Sequence, residues 1–183
     1  DDVQNIPHPI IGYMGTINST RLDGELLYQI ISQRPDYSFV FTGPEDDGFR
    51  QHRIHSLKNA YFTGQKKVDE LPAYITAYDV CINPQMVNDI TDGNYPLKID
   101  EYLAMGKPTV ATSTHTMRHI FADHTHLATN PEEWLSAIDR AVTEADDKEL
   151  AKQRIAFAET HSWGHSVKKI YGIIDNFLKE KAT

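Results

Sequence analysis

Lys98 and Glu101 stand three residues apart in NYPLKIDEYLAMGKPTVAT, residues 94–112, a spacing that puts an ammonium and a carboxylate on one face of a helix. The segment carries its own start and stop signals. Pro96 sits where the first turn of a helix tolerates a missing N–H, residues 97–105 are good helix formers, and Gly106 followed by Pro108 ends the run. A helix that opens after a loop holding Gly93 and Asn94 presents unpaired N–H groups and the positive end of its dipole, which is what a diphosphate needs. Lys98 adds a cation in the first turn, and the Glu101 carboxylate can accept hydrogen bonds from the hydroxyls of a ribose. The same residues also fit an ordinary amphipathic helix with two solvated charges, and spacing alone leaves both readings open.

Other residues could serve the same chemistry. GYMGTIN places Gly12, Gly15 and Thr16 where a first strand turns towards a helix, and missing side chains there let phosphates approach the backbone. As G-x-x-G it is equally a plain structural turn, and it lacks the three-glycine dinucleotide fingerprint. In YFTGQKKVDELPAYITAYD, Gly64 turns the chain while Gln65, Lys66 and Lys67 follow it; such a lysine pair offers charge to a ligand or is a solvated surface feature. Asp89 and Asp92 lie in a polar loop longer than an ordinary strand-to-helix connection, where either faces a sugar or caps a turn. The nine histidines raise a metal site, with His115 and His119 spaced for one helix face and His124 and His126 two apart. That reading is disfavoured by the lack of an H-E-x-x-H motif and of a second cysteine. No G-x-S-x-G elbow marks a serine hydrolase, and the one cysteine, Cys81 in DVCIN, reads as a buried strand thiol.

These residues need a scaffold, and the apolar pattern supplies one. Short apolar runs at residues 10–13, 38–42, 60–63, 80–83, 109–112 and 126–129 read as buried strands. Helical patterns lie between them at 23–32, more weakly within 47–57, at 68–78, 97–105 and 116–122. This alternation, over residues 9–130, predicts an α/β, doubly wound, Rossmann-like parallel sheet of about six strands with helices on both faces. From residue 131 to 183 the pattern is helical only, with runs at 132–145, 148–161 and 166–179, so residues 1–183 read as one domain with a helical C-terminal extension. In such folds ligands bind beyond the carboxyl ends of the strands, so residues 12–16, 43–46, 64–67, 84–95 and 113–116 are expected on one rim.

Composition bounds the function. Hydrophobic residues make up 40% and charged residues 24%, and no apolar run is long enough to span a bilayer. With 26 acidic against 18 basic residues the net charge is −8, which opposes nonspecific binding to nucleic acid and to anionic lipid. A single cysteine excludes an internal disulfide framework and fits a reducing, cytoplasmic compartment. No signal peptide opens the chain, which reads as a segment of a longer polypeptide.

Taken in order, GYMGTIN, PDYSFVFTGP, LKNAYFTGQKKVDELPAYITAYDVCINP and NYPLKIDEYLAMGKPTVAT resemble the C-terminal domain of GT-B-type glycosyltransferases of the group 1 or family 4 kind, over roughly residues 9–142. The resemblance implies a two-domain enzyme in which this half binds a nucleotide-diphosphate sugar, and a missing N-terminal domain binds the acceptor. It also implies transfer with retention, no catalytic metal, and no cofactor beyond the donor. Glu101 matches the glutamate that holds the ribose hydroxyls. Asn94, Tyr95 and Leu97 match the segment whose backbone meets the diphosphate, a subgroup that also carries Lys98. Gly12 and Gly15 match the turn beside the phosphates, and Thr63, Gly64 and Gln65 the wall around the base. Two departures stand out. The family's first glutamate falls on Gly93, so Asp92 or Asp89 would have to reach the donor sugar, and the usual Arg and Lys pair is missing, with Arg21 the only nearby cation.

The expected function is therefore the donor-binding half of a glycosyltransferase in surface-polysaccharide synthesis, with any membrane contact peripheral and made through the full-length enzyme. The rival expectation is a noncatalytic nucleotide- or sugar-binding module of the same fold, and a third, resting on the histidines alone, is a metal-dependent hydrolase. In the family the last helix crosses towards the partner domain, so Trp163, Ile170, Ile174 and Phe177 are expected to form an exposed apolar stripe.

Overall fold

The computed structural model describes residues 2–181. Six parallel strands form one sheet in the order β3-β2-β1-β4-β5-β6. They are β1 Ile10–Met14, β2 Ser38–Thr42, β3 Ala60–Gly64, β4 Val80–Asn83, β5 Thr109–Thr112 and β6 His126–Ala128. All six expected strands are found, within a residue or so of their predicted ends. The connecting helices are α1 Gly24–Ser32, α2 Asp47–Arg50, α3 Leu71–Ala77 and α4 Leu97–Ala104, followed by α5 Pro131–Thr143, α6 Lys148–Thr160 and α7 Trp163–Lys181.

Alternate residues of the strands feed two cores. Ile11 and Tyr13 of β1 pack with Leu27, Ile30 and Ile31 of α1 and Trp134 and Ile138 of α5. Ile10 and Met14 pack on the other face with Ile75 of α3, Ile99, Tyr102 and Leu103 of α4, and Ala158 of α6. With both faces covered, the central strands bury apolar side chains on both sides, as a doubly wound sheet requires.

Several elements depart from expectation at their ends or in their type. Residues 47–57 split into α2 and a 3₁₀ turn, Arg53–Ser56, and residues 116–122 contain a π-helical turn, Met117–Phe121. α3 starts later than its apolar pattern, because residues 68–70 form a turn in which the Glu70 carboxylate accepts the Lys67 N–H at 2.9 Å. α7 starts three residues early, at Trp163. Pro96 is the N-cap of α4 and not its first helical residue; its carbonyl accepts the Ile99 N–H at 2.9 Å. The stop at Gly106 is as expected: its N–H donates to Leu103 O at 2.9 Å and the Lys107 N–H to Tyr102 O at 3.0 Å, a Schellman closure.

Candidate functional site

Strand order reverses between β1 and β4, because β2 continues the sheet on one side of β1 and β5 on the other side of β4. The loops leaving these two strands diverge to opposite faces, and a crevice opens between them at their carboxyl ends. A cavity of about 730 Å³ occupies that place. It brings together the Gly15–Thr16 turn, Gln65 and Lys66 after β3, and Asn94, Tyr95, Leu97, Lys98 and Glu101 around the start of α4. Three separate sequence segments thus share one rim, as the alternation predicted.

The start of α4 is open to a ligand. Its N-cap is a proline without a capping side chain, so the Leu97 and Lys98 N–H groups have no acceptor within the helix and the positive end of the dipole faces the cavity. Lys98 reaches across the end of β1. Its ammonium donates to Tyr13 Oη at 2.7 Å and lies 4.2 Å from the centre of that ring. Burial pushes its pKa down from 10.5 to about 8, against the attraction of Glu101, and Arg21 at the cavity mouth pushes the same way as burial. Glu101 lies on the same helix face and is exposed; what burial its carboxyl has raises its pKa, and Lys98 opposes that.

Gly15 makes this crossing possible. Its φ of 134° is one that side chains rarely adopt, and a Cβ there would stand 2.9 Å from Lys98 Nζ and 3.4 Å from Tyr13 Oη. The turn is further fixed by the Gly15 N–H, which donates to Thr42 O at 2.9 Å.

Several expected site residues do other work. Gly12 is inside β1, paired with Val40 and Cys81, and does not line the cavity. Its missing side chain admits the Tyr78 ring, whose atoms would lie 2.1 Å from a Cβ, so close packing and not phosphate approach explains this glycine. Gly64 ends β3 outside the cavity lining, and its carbonyl accepts the Gly43 N–H at 3.0 Å. Lys66 lines the cavity with its charge already paired to Asp2. Asp92 is outside the lining: its carboxylate accepts the His115 N–H at 2.8 Å and caps the turn after β5. Asp89 is exposed and also outside. At Gly93 a Cβ would meet nothing within 4 Å.

The histidines do not converge. His115 and His119 stack with ring centres 4.0 Å apart, His124 stacks on Phe157, and His126 pairs with Glu144 at 3.1 Å. Among the described residues no group of three or more His, Cys, Asp or Glu is placed to hold a metal ion. Cys81 is buried, and burial pushes its thiol well above the ordinary range, so it is no nucleophile. Among the described residues no helix is long and apolar enough to cross a membrane.

Sequence reasoning placed Tyr13, Pro44 and Gln85 on the rim only as members of their segments, with no role of their own, and missed Asn18, Leu22, Thr42 and Leu71, all of which line the cavity. Tyr13 reads as an ordinary core residue in its strand, and only its position next to the last residue of β1 hints that its hydroxyl reaches the rim.

The family model for glycosyl transferases group 1 matches residues 8–144. A protein of Bacillus subtilis (strain 168) named for teichuronic acid biosynthesis, the glycosyltransferase TuaH, is 27% identical over 168 residues, covering 88% of this chain and 42% of that protein. A glycosyltransferase from Rickettsia africae superposes with a TM-score of 0.74 at 17% identity, over 96% of this chain and 49% of its own. Anabaena HepE in complex with UDP superposes with a TM-score of 0.73 at 14% identity, over 93% of this chain and 49% of its own. The C-terminal domain of the Francisella tularensis group 1 protein LpcC aligns at 18% identity and a TM-score of 0.61, with 81% of each chain covered. At these identities the structural likeness is one of fold, and the chain spans about half the length of the full-length relatives it matches.

Proposed function

This chain belongs to the group 1 glycosyltransferases of GT-B type, and on that footing we propose that it is the donor-binding half of an enzyme that moves a sugar from a nucleotide-diphosphate sugar to an acceptor. The observation that carries the reading is the single cavity uniting the Gly15–Thr16 turn, the open start of α4, Lys98 and Glu101. The diphosphate would lie against the α4 N–H groups and Lys98, and the ribose hydroxyls against Glu101. As the sugar bond breaks, negative charge builds on the leaving diphosphate, and fixed donors aimed at it lower the barrier without a protein nucleophile. Glu101 holds the donor and is not a base.

Transfer with retention and independence of metal follow from the family resemblance, as does a reaction needing no cofactor beyond the donor. A role in surface-polysaccharide synthesis is supported by the name of the Bacillus relative, and a cytoplasmic setting by the buried, unpaired Cys81. The acceptor would be held by an N-terminal domain supplied by the rest of a longer protein. α7 supports this: Trp163 is 81% exposed, and Ile170, Ile174 and Phe177 each about half exposed, an apolar face left open among the described residues.

The test is calorimetric titration and thermal unfolding with UDP, GDP and their sugar conjugates. At 100 times Kd a bound donor stabilises the fold by about 2.7 kcal/mol; no binding of any nucleotide at millimolar concentration refutes the reading. One observation favours a noncatalytic binding module instead: the position of the family's first glutamate is the bare Gly93, and Asp92 beside it is occupied in capping a turn. Donor binding without turnover in the complete protein would select that rival.

A further inference from the structure

Tyr13 has a side chain that its strand pattern does not explain. It is 2% exposed and packed in the α1 and α5 core, its ring tilted against Phe41 at 6.3 Å between centres, yet its hydroxyl emerges at the cavity. Both hydrogen bonds of that hydroxyl have a fixed direction. Lys98 Nζ can only donate, so at 2.7 Å the phenol oxygen is the acceptor; the single phenol proton goes to Thr16 O at 3.0 Å. The hydroxyl therefore links the turn after β1, one wall of the cavity, to α4, the other wall.

The link bears on the cation pair missing after β1. A lysine is a point charge on a flexible four-carbon stem, and alone it samples many rotamers. Lys98 is held by one acceptor at 2.7 Å and by the ring face 4.2 Å away, through the opening that Gly15 leaves. Lys66, the other lysine on the rim, is already paired with Asp2. We propose that Tyr13 is the positioning residue that holds Lys98 as the cation facing the diphosphate, so that charge usually supplied from beside β1 is delivered here from α4. This rests on the donor-binding reading above.

The experiment compares wild type, Tyr13→Phe, Lys98→Met and the double variant in binding UDP, GDP and ADP and the matching nucleosides, followed by calorimetry and NMR titration. Tyr13→Phe should weaken the best-bound diphosphate about tenfold, the scale of one hydrogen bond to a charged group, and leave nucleoside affinity unchanged. In the Lys98→Met background it should change neither by more than about twofold, since its effect passes through Lys98. A phenol that merely satisfies Thr16 would weaken diphosphate and nucleoside alike, or act equally in both backgrounds, and either result overturns the proposal. Should Tyr13→Phe fail to fold, 3-fluorotyrosine at the same position keeps the hydroxyl but makes its oxygen a weaker acceptor. The diphosphate-to-nucleoside affinity ratio should then fall by a smaller factor, and an unchanged ratio overturns the proposal. Wild type binding no diphosphate overturns the donor-binding reading and the proposal with it, whereas wild-type binding unaffected by Tyr13→Phe overturns the proposal alone.

Discussion

Replacing Lys98 by methionine should stabilise the protein at pH 7 while weakening diphosphate binding. Methionine keeps most of the length and apolar volume and removes the charge. Burial lowers the Lys98 pKa from 10.5 to about 8, and at ~1.36 kcal/mol per pH unit the folded state carries a penalty of about 3 kcal/mol for keeping this group charged. The lost hydrogen bond to Tyr13 offsets part of that, leaving a net gain of roughly 1–2 kcal/mol, or roughly 2–8 °C in Tm for a chain of this size. The pH dependence is the sharper signature. Because the folded pKa lies below the unfolded one, the penalty is complete below pH 8 and fades as pH rises to 10.5, where the unfolded chain holds more protons. The variant's advantage over wild type should therefore shrink by about 3 kcal/mol between pH 7 and pH 10.5, whatever the hydrogen bond contributes. Urea unfolding of both proteins across that range measures it, and other titrating groups cancel in the difference. Diphosphate affinity at pH 7 should drop tenfold to a hundredfold, a trade of stability for function. A variant less stable than wild type by a constant amount at every pH would refute the view of Lys98 as a charge held at a cost for a ligand.

Four further outcomes are expected. Glu101→Ala should weaken nucleotide binding tenfold to a hundredfold by calorimetry, with melting temperature little changed, because an exposed side chain is lost and no core cavity opens. Gly12→Ala should destabilise by about 1–3 kcal/mol in urea, since the new methyl meets the fully buried Tyr78 ring, whose hydroxyl is tied to Thr42 Oγ1 at 2.7 Å. Gly93→Glu should leave thermal stability within about 0.5 kcal/mol, as the position is open and its φ is not left-handed; a large loss would show that the loop requires glycine. The chain alone should give no product from a matched donor and acceptor, because holding the acceptor against the donor accounts for about 7–11 kcal/mol of the barrier. Adding the N-terminal domain should restore transfer and protect the α7 face from hydrogen exchange.

Local physics made much of this protein legible before its structure. Helix and strand periodicities act over four residues or fewer, so the six strands, the stop at Gly106 and the shared face of Lys98 and Glu101 could be read directly. The alternation of elements carried the doubly wound fold, and with it the rim on which the cavity lies. The exposed stripe on α7 was expected from the family resemblance and not from local spacing. Roles that depend on partners far along the chain were out of reach. Tyr13 and Lys98 are 85 residues apart, Asp92 and His115 are 23 apart, and Lys66 and Asp2 are 64 apart. Each contact exists only once the strand order has set which loops adjoin. That is why Gly12 and Gly15, alike as a G-x-x-G pair, part company in the fold. Strand alternation turns the first towards the Tyr78 ring, and the turn leaves the second as the gap through which Lys98 crosses. Sequence spacing picked out candidate residues by type; tertiary packing, by deciding which distant side chains meet, determined which of them face the cavity.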